Sequence, residues 1–352
     1  MLNFLGMGGG TGLPVVLWGL RQLSGNSGHD GQSTFNISAI VCVSDNGGSS
    51  GHLRQSYGIP AVGDLRNCLV ALSDSDCLLA NLFQYRFSGG NGLDGHSLGN
   101  LIVAAFCQMS GNLGVAIDLA KEVLHTQGSV LPATEAAVTL CAEVESGGCI
   151  RGESQITAAR SRIHRVWLEP GNPPPFPEAL QALANADAII LGPGSLYTSI
   201  IPNLLVSGVA DAVRNSPALK IFVCNLVTQP GETDGFTAAD HLRVLQTYLG
   251  AGAVDICLLN SQPIVRTVRG LYLESGSEPV NWREDEISRM GVLPIRADFL
   301  AEKQSKIRHD PIKLARMIVS LTRAGRHGDD YVPGKDCMSF NRRPACAELS
   351  AI

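Results

Sequence analysis

The sequence predicts an α/β fold: a Rossmann-like, mostly parallel sheet with helices on both faces and a smaller, mainly helical lobe. Three observations carry this. Short continuous apolar runs alternate with stretches of helical periodicity, the pattern of strands buried on both faces. Glycine-rich loops stand where several of those runs hand over to helices. Gly accounts for 39 of 352 residues, well above the ~7% of an average chain.

The first run, residues 2–7, stops at three glycines and is followed by LPVVLWGLRQL, apolar at helical spacing. After the polar stretch 25–34, a β-branched run at 37–43 completes a βαβ unit. From 64 to 125 the pattern is helical, in the pieces LRNCLVAL, LLANLFQYRF, LGNLIVAAFCQM and NLGVAIDLAKEVL. AVTLCAEV, a Gly-Gly turn at 147–148 and IHRVWL predict strands and a hairpin-like excursion. Five prolines within 170–177 form a stiff connector. The α/β rhythm then resumes, with strands at 188–191, 219–226, 255–260 and 292–295, and helices at 177–186, 203–215, 237–249 and 311–323. Residues 1–323 are therefore expected to form one Rossmann-like domain with a helical lobe inserted at about 64–135. Residues 324–352, polar and interrupted by Gly and Pro, are expected to be a loosely held tail.

Composition narrows function. Lys and Arg total 27 against 32 Asp and Glu, a net charge of −5, so no basic field gathers nucleic acid. No run reaches the ~18 apolar residues of a membrane span. The N-terminal residues lack a basic and then apolar leader pattern, so a cytoplasmic location is expected. Ten cysteines, without C-x-x-C or zinc-ligand spacing, read as buried free thiols.

The loops carry the candidate chemistry. Gly9, Gly10, Thr11 and Gly12 let backbone N–H groups and a helix N-terminus face an anion. They satisfy neither the G-x-G-x-x-G dinucleotide pattern nor the P-loop. Asp45 and Asn46, at the carboxyl edge of the second strand, offer a sugar-hydroxyl acceptor. Asp45 is a weak magnesium candidate, and no metal site is expected from spacing alone. Asp64 is a helix N-cap candidate, while Arg66 and Asn67 offer donors to phosphate. GHSLG at 95–99 matches G-x-S-x-G, but a glycine-rich loop rather than a strand precedes it, which excludes a serine-hydrolase elbow. His96 and Asn100 are kept as ligand donors. Gly192, Gly194 and Ser195 form a second anion cradle after a buried strand, and Asn225, with Thr228, stands where it can read a base or sugar. Loops after several parallel strands face one side, so these segments are expected to converge.

GGGTGLPVVLWGL, SDNGGSSGHLR, GIPAVGDLRNCLVAL, LFQYRF, GHSLGNL, VLPAT, ADAIILGPGSLYTSIIPNLLV and CNLVTQPGETDGF together resemble the bacterial gluconeogenesis factor family, relatives of 2-phospho-L-lactate transferase, over about residues 1–323. The resemblance implies a cytoplasmic protein that binds a nucleotide sugar such as UDP-N-acetylglucosamine. It implies a regulator of cell shape and cell-wall precursor supply during gluconeogenic growth, acting through a protein partner still to be identified. It places Tyr272 and Arg308 on the ligand, the arginine at the diphosphate. The alternative implied is a magnesium-dependent transferase that forms a phosphodiester from a nucleotide-activated substrate, with Asp45 as its catalytic candidate. Asp45-Asn46 stands where many relatives have two aspartates. A homodimer is expected from the general preference of soluble chains.

Overall fold

The computed structural model describes residues 1–25, 35–74, 78–90, 92–264, 269, 272–301 and 306–327. The expected loop within 26–34, Cys77, Cys337, Cys346 and the tail from 328 onward lie outside the described residues.

The main sheet holds seven strands: β1 (Leu2–Gly8), β2 (Phe35–Val41), β3 (Ser129–Pro132), β7 (Ala188–Leu191), β8 (Leu219–Val223), β9 (Ile256–Asn260) and β10 (Leu293–Ala297). All neighbours run parallel in the order β10-β9-β8-β7-β1-β2-β3. β7 is buried at every position and β1 at all but one, as strands covered on both faces must be. On one side α1 (Leu13–Gly25) packs against α3 (Gly63–Leu72) and the last helix, Pro311–His327; on the other α10 (Val209–Asn215) packs against α8 (Pro177–Ala184) and α11 (Ala238–Leu249). The strand order reverses between β1 and β7. Open α/β sheets bind ligands outside such a switch point, beyond the carboxyl ends of the strands.

The structure departs from the sequence reading in several places. β2 begins two residues earlier than expected and ends at Val41. Three residues beyond Asp45, at the carboxyl edge of the second strand, a helix that the sequence reading does not predict begins, α2 (Gly48–Tyr57). Helices α4 (Leu78–Gln84), α5 (Leu98–Ser110) and α6 (Leu113–Leu124) follow as the periodicity predicted. Within the span 64–135, however, β3 is the edge strand of the main sheet, paired with Ser38–Val41 of β2. The single helix expected at 203–215 is two pieces, the end of α9 (Ile201–Leu204), which continues a π turn at Leu196–Ile200, and α10, separated where Gly208 takes φ +75°. The helix expected to stop at 323 continues to His327, so residues 324–327 are helical.

Residues 136–169 form a second, antiparallel sheet of order β5-β4-β6, from β4 (Thr139–Val144), β5 (Cys149–Arg151) and β6 (Ile163–Glu169), with helix α7 (Glu153–Ala159) between β5 and β6. Six of the seven described cysteines are buried, and Cys149 is exposed. Among the described residues no single helix is long and apolar enough to cross a membrane.

Candidate functional site

The glycine loops after β1 and β7 flank the switch point and lie against each other. Gly192 N–H donates to the Met7 carbonyl at 2.9 Å, so the two strands stay paired to their ends before the loops diverge. Beyond that point Gly12 faces the backbone of the partner loop. A side-chain carbon at Gly12 would lie 2.6 Å from the Pro193 carbonyl carbon and 3.0 Å from Gly194 N. Gly10 takes φ +62°, a conformation that residues with a Cβ adopt reluctantly. Asn225 bridges this edge to the next strand: its Oδ1 accepts from Gly194 N at 3.1 Å and its Nδ2 donates to Gly194 O at 2.9 Å.

Between these loops lies a cleft of about 480 Å³ whose walls include Gly10, Thr11, Gly12, Gly194, Ser195, Asn225 and Arg308. Arg308 arrives on a strap tied down by main-chain bonds. Ala301 N donates to Arg308 O at 3.0 Å, and Asp310 N to Phe299 O at 2.7 Å. Tyr272 Oη accepts from Ile307 N at 3.1 Å, so the tyrosine holds the residue next to Arg308. The Arg308 side chain is exposed above the cleft, whereas His309 turns inward. Burial pushes the His309 imidazole down to about 4 against the opposing hydrogen bond to the Cys224 backbone, so this histidine is neutral at pH 7.

Other sequence candidates do not line this cleft. Arg66 is buried, with Nη1 on the Phe83 carbonyl at 3.2 Å and Nη2 on Asn67 Oδ1 at 2.6 Å. Asn67 donates to Gly10 O at 3.2 Å and so braces the first loop. Asn100 is buried in α5 behind the Ser97 N-cap, and His96 contacts Ser49 Oγ at 3.1 Å beside the ring of His52. The N-cap of α3 is Val62 rather than Asp64, because the Asp64 carboxylate reaches across to accept from Gly10 N at 2.7 Å. Asn46 holds the small lobe: its Nδ2 donates to Gln155 Oε1 at 2.8 Å, and its Oδ1 accepts from Ser154 N at 3.0 Å. That explains a carboxamide at this position, since a carboxylate could not donate to Gln155.

Two carboxylates that the motif reading passed over complete the cleft. Glu232, in the loop after β8, accepts from Ser195 Oγ and from Thr157 Oγ1, the latter at 3.3 Å. Glu153 opens α7 and enters from the antiparallel lobe. Its motif neighbourhood gave no signal, because the excursion that carries it folds back from distant sequence. Glu232 sat inside a quoted motif, and its place beside Gly231 in a loop beyond a parallel strand was the available clue. Burial raises all three inner carboxyls. Asp64 is pushed up to about 6 despite the Gly10 N–H, Glu153 well above the carboxylate range by burial and then the charges of Asp45, Asp64 and Glu232, and Glu232 upward against its two hydroxyl donors.

The fold keeps the Asp64 proton up to about pH 6, whereas an unfolded aspartic acid releases it near ~3.9. The contribution is therefore intact below about pH 4 and is lost as pH rises through 6, a cost on the order of 3 kcal/mol at neutral pH. Asp64→Asn keeps an acceptor for Gly10 N and removes that cost, so the ligand-free variant is expected to melt higher than wild type at pH 7.5, by about half that margin at pH 5, and about equally only below pH 4. A lower melting temperature at pH 7.5 would contradict this account of the carboxyl.

The family model for 2-phospho-L-lactate transferase CofD matches residues 5–300. The chain belongs to this family. Within it, a gluconeogenesis factor of Halalkalibacterium halodurans is 44% identical over 90% of this chain and 95% of its own length. One from Bacillus subtilis is 45% identical over 89% and 96%. A crystal structure of a UPF0052 family member from Bacillus halodurans superposes with a TM-score of 0.85 at 43% identity, covering 91% of this chain and all of that one. The parallel sheet, the switch-point glycine loops and the strap bearing Arg308 thus occur in a chain that is similar over about nine-tenths of its length to proteins named gluconeogenesis factor.

Proposed function

We propose that this protein is a binding regulator whose ligand is a nucleotide sugar, UDP-N-acetylglucosamine, and which acts in the cytoplasm on cell shape and cell-wall precursor supply during gluconeogenic growth. The observation that carries the reading is the pair of apposed glycine loops at the β1/β7 switch point with the exposed Arg308 above them. Backbone N–H groups and a guanidinium together suit a diphosphate, and the inward carboxylates Glu153 and Glu232 suit sugar hydroxyls. A partner protein would read the occupied state, and the protein would work as a homodimer.

The family match motivates a second reading, a phosphodiester-forming transferase related to 2-phospho-L-lactate transferase. Its magnesium does not fit a site held by this chain alone. Among the described residues no three His, Cys, Asp or Glu side chains gather to hold a metal. Asp45 Oδ1 accepts from Gly47 N at 2.8 Å, and Asn46 is committed to α7.

The two readings part on ligand-induced stabilisation. UDP-N-acetylglucosamine at a hundred times its Kd is expected to stabilise the fold by about 2.7 kcal/mol, with or without magnesium, and the melting temperature reads this directly. Stabilisation that requires magnesium throughout would favour the transferase.

A further inference from the structure

Beside the glycine cleft lies a second cavity of about 500 Å³ that shares Thr11, Val15, Arg308 and His309 with it. Its walls come from different elements and have a different chemistry. Trp18 of α1, with Val15, Ala71 of α3 and Ala80 of α4, gives an apolar face. Asn81 and Gln84 of α4 add exposed carboxamides, and among the described residues no carboxylate lines the cavity. An apolar, aromatic face edged by groups that both donate and accept fits a flat heteroaromatic ring. The carboxylates Glu153 and Glu232 line the other cleft.

We propose that the Trp18 cavity is the nucleobase subsite and that it fixes the direction of the ligand. The base lies against Trp18, with Asn81 and Gln84 at its edge. The diphosphate passes beneath Arg308 between the glycine loops, and the hexose points toward Glu153 and Glu232. This assignment rests on the nucleotide-sugar reading and adds to it an order of parts. It also gives Arg308 its place, since the residue borders both cavities where the two halves of such a ligand join.

The test measures UDP and N-acetylglucosamine 1-phosphate separately, by calorimetry, on wild type, Trp18→Ala and Gln84→Ala. Trp18 is half-buried, so its variant alone could report a disturbed α1; Gln84 is exposed, and its variant leaves the core untouched. The expected result is a loss of UDP affinity of tenfold or more in Trp18→Ala and of several-fold in Gln84→Ala, with the sugar phosphate bound as by wild type. Unchanged UDP affinity in both variants, or a loss confined to the sugar phosphate, overturns the assignment while leaving the nucleotide-sugar reading standing. Wild-type protein that binds neither probe overturns that reading and the assignment with it.

Discussion

Gly12→Ala is expected to destabilise the protein by on the order of 2–4 kcal/mol and to remove most ligand binding. A methyl group at Gly12 meets backbone, the Pro193 carbonyl and Gly194 N, not the yielding tip of a side chain. Both loops are anchored, one by β1 and α1 and the other by β7 and the Asn225 bonds to Gly194. Relief therefore requires the loops to part, which also separates the N–H groups that would face a diphosphate. The urea midpoint measures the first effect and a titration the second. Gly325→Ala is the control: among the described residues none lies within 4 Å of a methyl group at that position, which sits inside the last helix. There alanine is expected to be neutral or to stabilise by about 0.5–1 kcal/mol. A Gly12→Ala protein as stable as wild type would mean that the two loops do not close on each other in solution.

Arg308→Ala is expected to weaken nucleotide-sugar binding by about 1–3 kcal/mol, the usual worth of a charge-assisted contact, with the urea midpoint unchanged. The strap does not depend on the guanidinium, because the bonds at Phe299, Ala301 and Ile307 use the backbone and Tyr272. Tyr272→Phe tests the strap itself. It removes the acceptor for Ile307 N and leaves Arg308 in place, so a smaller loss of affinity is expected. Full affinity in a well-folded Arg308→Ala protein would remove the strap from the site.

Much of this architecture is legible in the residues because burial on both faces leaves an unbroken apolar signature. AIIL of β7 and LNFLGMG of β1 can hardly be anything but inner parallel strands. β3 was hidden for the converse reason: SVLP is four residues long, ends in proline, and follows helices with no apolar run of its own. α2 was hidden because GSSGHLRQSY opens with residues that favour turns, and tertiary packing of Leu53 overrides that preference. In the site, the glycine loops were readable because only a backbone that must approach something closely needs so many glycines. A polar residue that opens a helix, such as Arg66, looks the same in sequence whether it faces a ligand or satisfies a neighbouring turn. Only the fold shows that Arg66 turns inward onto Phe83. Glu153 was invisible because its position depends on how the antiparallel lobe docks, which local periodicity does not encode.

The most direct test of the central claim is a calorimetric titration of the purified protein with UDP-N-acetylglucosamine and magnesium, followed by mass analysis of the recovered ligand. Saturable binding and a ligand returned intact are expected. No binding, or a ligand returned chemically altered, would contradict it.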